Sequence, residues 1–135
     1  MAGQTAFLDS NLLLYLLSSD VSKADGVEAL LLTKPVISVQ VLNEVTNVCR
    51  KKLAMPWKEI GLFLATLRSF CRVVPVTEAI HDQARFIAER YRLSFYDACV
   101  VSAAMVAGCQ ILFTEDMHDG LIIEGNLRIK NPFAP

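Results

Sequence analysis

The sequence predicts an α/β domain with a central, mostly parallel sheet of four to five short strands and helices on both faces. Three observations carry this. Short β-branched runs alternate with helix-periodic stretches along the chain, which is the pattern of strand-helix-strand units. Most β runs lead into a helix with a cap residue or a proline at its start. The length of 135 residues and hydrophobic content of 53% suit one domain, residues 1–135, able to bury a substantial core.

Element by element, "TAFLD" reads as a strand ending at an acid, and "SNLLLYLL" as a helix capped by Ser10 or Asn11. "SKADGVEALLLTK" reads as a second helix, and Pro35 leads the β-branched strand "PVISV". In "VQVLNEVTNVCRKKL" Val41, Val45 and Val48 share one helix face, and the basic end suits a helix C-terminus. Pro56 fits the first turn of "PWKEIGLFLATLRSF", and "CRVVPV" follows as a strand. Thr77 caps a helix running to about Arg92. "LSFYDACVVSAAMVAG" is a small-residue helix closed by Gly108, and "QILFT" is a fourth long strand. The tail "GNLRIKNPFAP" holds one edge strand.

A net charge of -1 and a pI near 6.1 argue against a purely charge-driven nucleic-acid binder. Mean hydropathy is high at +0.40, yet runs such as "LLLYLL" are far too short to span a bilayer, which takes about 20 residues. "MAGQTAFLD" lacks a basic stretch and meets Asp9 too early for a secretory signal, so a cytoplasmic protein with no membrane role is expected. The four cysteines, Cys49, Cys71, Cys99 and Cys109, show no metal-binding spacing and read as buried small hydrophobes in a reducing compartment. Surplus apolar surface in a small domain points to a homodimer or a protein partner.

Of the fourteen acidic residues, four interrupt apolar patterns: Asp9, Glu44, Asp97 and Asp116. Asp9 and Asp116 follow strands, placing them at the carboxyl edge of a parallel sheet, where open α/β folds bind ligands. Glu44 and Asp97 fall on apolar helix stripes, where a lone charge is costly. Two such charges about 4 Å apart repel by roughly 4 kcal/mol at an effective dielectric near 20. Arg50, Lys51 and Lys52 lie at the far end of the Glu44 helix, so a divalent cation is the natural counter-charge. All-oxygen sites select Mg²⁺, with Mn²⁺ as a substitute, and such ions serve phosphodiester hydrolysis. Simpler readings stand beside this: Asp9 as a helix cap, Ser94 with Asp97 as a capping box, and Asp116 as a loop acid. Glu44 caps nothing. His118 reads as a solvated loop histidine, and the Arg50 to Lys52 run as a solvated helix end.

At these residues the chain resembles the PIN-domain family, and within it the VapC-type toxins, over nearly its full length. Asp9, Ser10 and Asn11 in "FLDSNLLLYLL" match the D-[ST]-N start. Glu44 falls in "VLNEVTNV", Asp97 in "LSFYDACVVSAA", and Asp116 in the T-x-D of "ILFTEDMHDG". The resemblance implies a PIN-like fold and a Mg²⁺-dependent endoribonuclease that cuts single-stranded stretches of structured RNA, leaving a 5′-phosphate and a 3′-hydroxyl. It implies a homodimer restrained by an antitoxin protein, with Asp9, Glu44, Asp97 and Asp116 as metal-holding catalytic acids. Asn11 and Thr114 would orient those carboxylates by hydrogen bonds. Glu115 and Asp119 flank Asp116, which leaves open which of the three faces the metal; the Thr114 hydroxyl and the match in spacing favour Asp116.

The alternative is a catalytically silent PIN scaffold that binds RNA or protein; all four acids being present weighs against it. A dehalogenase-like phosphatase needs D-x-D-x-[TV], whereas Asn11 and Leu13 occupy the third and fifth positions. A phosphoacceptor receiver would carry a lysine after a late strand, and none follows "QILFT".

Overall fold

In the computed structural model, residues 4–134 are described. They build one six-stranded sheet in the order β3-β2-β1-β4-β6-β5. Strand β1 spans Ala6–Leu8, β2 Val36–Ser38, β3 Arg72–Val74, β4 Ile111–Phe113, β5 Ile122–Ile123 and β6 Leu127–Lys130. Every pairing is parallel except β5 with β6. Register places Phe7 beside Val36 and Leu112, and Leu112 beside Ile129, so a line of fully buried side chains crosses the sheet. Burying each is worth about 1.5–3 kcal/mol.

Six α-helices flank the sheet: α1 Ser10–Leu13, extended by a 3₁₀ turn over Leu14–Leu17, α2 Val21–Leu31, α3 Val39–Lys51, α4 Trp57–Phe70, α5 Glu78–Tyr91 and α6 Phe95–Val106. The cap chemistry explains their starts. Ser38, wholly buried at the end of β2, accepts from Val41 N at 3.3 Å and opens α3. Thr77 accepts from Ile80 N at 3.2 Å and opens α5, as the sequence predicts. Helix α3 buries Val41, Val45 and Cys49, a stripe of i, i+4 positions, with Glu44 and Val48 half-buried at its flank. Helices α5 and α6 are pinned by the buried Ser102, whose hydroxyl bonds Ile80 O at 2.9 Å and Gln83 Oε1 at 2.8 Å.

The structure corrects three expectations. The sheet has six strands, not four to five, because Ile122–Ile123 pairs antiparallel to β6. The tail strand is not an edge: β6 lies between β4 and β5, and its Leu127 and Ile129 are fully buried. The cap of α1 is Asp9 itself rather than Ser10 or Asn11, its Oδ1 accepting from Ser10 N at 2.7 Å. Pro56 immediately precedes α4, and α5 ends at Tyr91 with Arg92 in the left-handed region at φ 55°.

The chain leaves β1 toward β2 and β3 on one side, then crosses to β4 on the other. That reversal falls at the carboxyl ends of β1 and β4, where Asp9 and the segment from Thr114 begin and where open α/β folds form their crevice.

Candidate active site

The centre of the crevice is Thr114, a fully buried hydroxyl one residue beyond β4. It donates to Asp9 Oδ2 at 2.9 Å and accepts from Asp116 N at 3.1 Å and from Asn11 Nδ2 at 3.1 Å. Asn11 also donates to Asp116 Oδ2 at 3.0 Å, and its Oδ1 accepts from Glu115 N at 3.2 Å. One amide therefore ties the start of α1 to the segment after β4. The D-[ST]-N and T-x-D patterns, over a hundred residues apart, meet because β1 and β4 are neighbours.

The cap reading of Asp9 is true and incomplete. One oxygen caps α1, while the other is held by Thr114 inside a site whose Asp9 is only 4% exposed. Asp97 likewise sits in a capped first turn, Ser94 Oγ accepting from its backbone N at 3.2 Å. Among the hydrogen bonds of the described residues, the carboxylate makes no return bond to Ser94 N, so half the capping box is present.

Burial raises the affinity of these carboxyls for protons. Asp9 is pushed up by burial, with the charges of Asp97 and Asp116 adding, against the bonds from Thr114 and Ser10. Glu44 is raised by burial and then by the charge of Asp9, with Asp97 and Asp116 contributing. Asp97 is raised by burial and by Asp116. The four acids thus share one electrostatic neighbourhood. No lysine or arginine among the described residues forms an ion pair with any of them.

Within that neighbourhood Glu44 Oε1 is buried and has no hydrogen-bond partner, alone among the side-chain oxygens and nitrogens of the described residues. An orphaned carboxylate oxygen on a group that the charges of Asp9, Asp97 and Asp116 also reach fits a hard divalent cation. No three acidic, cysteine or histidine side chains among the described residues stand close enough to form a ready-made cage.

The acids flanking Asp116 turn elsewhere. Glu115 is bound by the Tyr15 hydroxyl and by Lys23 Nζ at 3.1 Å, and Asp119 Oδ1 accepts from Asn131 N at 2.8 Å. Sequence reading missed Tyr15 and Lys23, whose partner is 100 and 92 residues away, so no local signal marks them. His118 is exposed, in keeping with a solvated loop histidine. Arg50 is partly used structurally, donating to Met55 O at 3.0 Å and lying 5.1 Å from the Trp57 ring centre. Cys49 and Cys109 are buried as expected, whereas Cys71 and Cys99 are half-buried; burial pushes the Cys71 and Cys109 thiols up to about 11.

The PIN-domain profile matches residues 6–118, a span that includes all four acids. The chain belongs to the PIN-domain family. No curated protein matches this PIN domain in sequence. Solved structures do match in fold. A toxin-antitoxin complex from Klebsiella pneumoniae is 21% identical, covering 96% of this chain and 98% of that one at a TM-score of 0.72. VapC20 of Mycobacterium tuberculosis, described as a sarcin-ricin loop cleaving toxin, is 23% identical over 83% of this chain and 92% of its own, TM-score 0.65. VapBC2 of Rickettsia felis, bound to a promoter DNA fragment, is 19% identical over 94% and 98%, TM-score 0.68. At these identities the likeness is one of fold, and this PIN domain shares it with VapC toxins. No helix among the described residues is long and apolar enough to cross a membrane.

Proposed function

We propose that this PIN domain, a single domain over residues 1–135, is a divalent-metal-dependent endoribonuclease. It hydrolyses phosphodiester bonds in single-stranded regions of structured RNA and serves as the VapC-type toxin of a toxin-antitoxin pair in the cytoplasm. The observation that carries the reading is the orphaned Glu44 Oε1, buried among acids that no basic side chain of the described residues neutralises. Asp9, Glu44, Asp97 and Asp116 would hold Mg²⁺, or Mn²⁺ in its place, directly or through water. The ion, when bound, lowers the pKa of water and offsets charge on the leaving oxygen.

The chain's own groups do the rest. Thr114 fixes the second oxygen of Asp9, and Asn11 fixes Asp116, so two carboxylates are held in place before any ligand arrives. The sarcin-ricin loop named for one structural relative is a structured RNA, which supports that substrate class. Structural relatives are toxin-antitoxin complexes, which supports an antitoxin partner. An apolar groove of about 350 Å³ lined by Leu16, Leu31, Leu32, Phe63 and Phe70 supports a protein-binding role for the α2 and α4 side. Exposed Phe86, Tyr96 and Val106 leave apolar surface for a homodimer.

Cleavage of labelled structured RNA with Mg²⁺ or Mn²⁺, against chelator and Asp97→Asn, tests the reading. The expected result is metal-dependent cutting that the substitution abolishes while the fold is kept. A fully active Asp97→Asn protein would overturn the site assignment. Absence of both cutting and metal binding would favour the silent scaffold.

A further inference from the structure

We propose that Lys23 and Tyr15 are positioning residues for the acidic site: they hold Glu115 away from it and so set where Asp116 stands. This rests on the metal-site reading above. Both oxygens of Glu115 are taken, Oε1 by the Tyr15 hydroxyl and Oε2 by Lys23 Nζ at 3.1 Å. Lys23 Nζ also donates to the Tyr15 hydroxyl at 3.1 Å, closing a three-membered network. Charge-assisted bonds of this kind are the stronger ones, and this network is partly shielded, with the Lys23 and Glu115 side chains 33% and 20% exposed.

Aromatic rings enclose the cation. Lys23 Nζ lies 4.8 Å from the Tyr15 ring centre and 5.2 Å from that of Phe133, and the two rings meet edge to face at 5.6 Å. Phe133 sits against Gly26, where an added Cβ would stand 3.1 Å from its Cε1. The ring can occupy that seat because residue 26 has no side chain.

The consequence falls on the segment after β4. Thr114 and Asp116 both meet Asn11, while Glu115 between them is drawn the other way to Tyr15 and Lys23. Three successive residues are thus gripped by the stretch from Asp9 to Lys23. Loss of the outward grip frees a mobile carboxylate next to Asp116 and loosens the residue it adjoins. Groups bonded directly to metal ligands lower metal affinity by about 10- to 100-fold when lost; Tyr15 and Lys23 hold the neighbour of Asp116 rather than a ligand, so the lower end is expected.

Sign separates positioning from simple charge. Removing the positive charge of Lys23 near an acidic site would, by Coulomb attraction alone, tighten cation binding; loss of positioning weakens it. The experiment is calorimetric titration of Mn²⁺ into the full chain. Wild type is expected to bind, Lys23→Met to bind about tenfold more weakly, and Lys23→Arg to stay close to wild type. Tyr15→Phe changes no charge and keeps the ring, so it covers the case in which Lys23→Met does not fold; it too is expected to weaken binding. Arg90→Gln, which breaks the remote pair with Glu124 at 3.1 Å, is expected to leave affinity unchanged. Unchanged or tighter binding in Lys23→Met, or unchanged binding in Tyr15→Phe, would overturn the positioning role alone. A wild-type protein that binds no Mn²⁺ would overturn the metal reading and this one with it.

Discussion

Replacing Glu44 by Gln separates the cost of the acidic site from its use. Glu44 Oε1 is buried without a partner and its carboxyl is raised by burial and by Asp9. An unsatisfied buried acceptor costs about 1–3 kcal/mol, and because the side chain is only half-buried the lower end applies, about 1 kcal/mol. An amide there carries no charge to desolvate or to repel Asp9, so Glu44→Gln is expected to stabilise the metal-free fold by about that amount. For a chain of 135 residues this raises Tm by about 3–4 °C.

The pH dependence follows with a definite sign. A carboxyl whose pKa is raised on folding binds protons more readily folded than unfolded, so its stabilising share is full below the ordinary carboxyl range and lost as pH rises through the folded value. Asp9, Glu44 and Asp97 are all raised, so the metal-free wild type should lose stability as pH climbs from about 4 toward neutrality. Glu44→Gln should lose less. Added Mg²⁺ reverses the order: at a hundredfold excess over Kd the wild type gains about 2.7 kcal/mol, and the variant gains less at the same concentration. Thermal denaturation with and without EDTA, between pH 4 and 8, measures all of this. A metal-free variant that is less stable than wild type, or that keeps the wild-type pH slope, would refute the argument that Glu44 is an uncompensated charge.

Thr114→Val removes the donor to Asp9 Oδ2 and the acceptor for Asn11 and Asp116 N, so urea denaturation should show a loss of about 2 kcal/mol, and Mn²⁺ titration an affinity about tenfold lower. Ser38→Ala deletes the buried cap of α3 and should cost about 1 kcal/mol by the same denaturation, with RNA cleavage retained per folded molecule. Gly26→Ala pushes against Phe133 at 3.1 Å, and hydrogen exchange should report faster opening of residues 131–134 than in wild type.

Much of this architecture is legible along the chain because its signals are local. The valines of α3, the hydroxyls of Thr77 and Ser94, and the Gly108 turn each act within a few residues. The four acids are also visible, since a charge inside an apolar stripe stands out wherever its partners lie. What escapes the sequence is settled by distant neighbours. Ile122–Ile123 is too short to read as a strand until β6 pairs with it, and β6 is interior only because β5 covers its other side. Which of Glu115, Asp116 and Asp119 faces the crevice depends on Tyr15, Lys23 and Asn131, none of them adjacent in sequence. The double duty of Asp9, capping with one oxygen and meeting Thr114 with the other, needs β1 and β4 side by side.

The sheet's borders bear on how two copies could meet. One is β5, two residues long and hemmed by Gly120 and Gly125 in left-handed backbone; the other is β3, three residues long, followed at once by Pro75, which has no N–H to offer. Short borders of this kind, one of them closed by a proline, discourage pairing with another sheet. The proposed homodimer is therefore expected to form through side chains rather than by joining one sheet to the other.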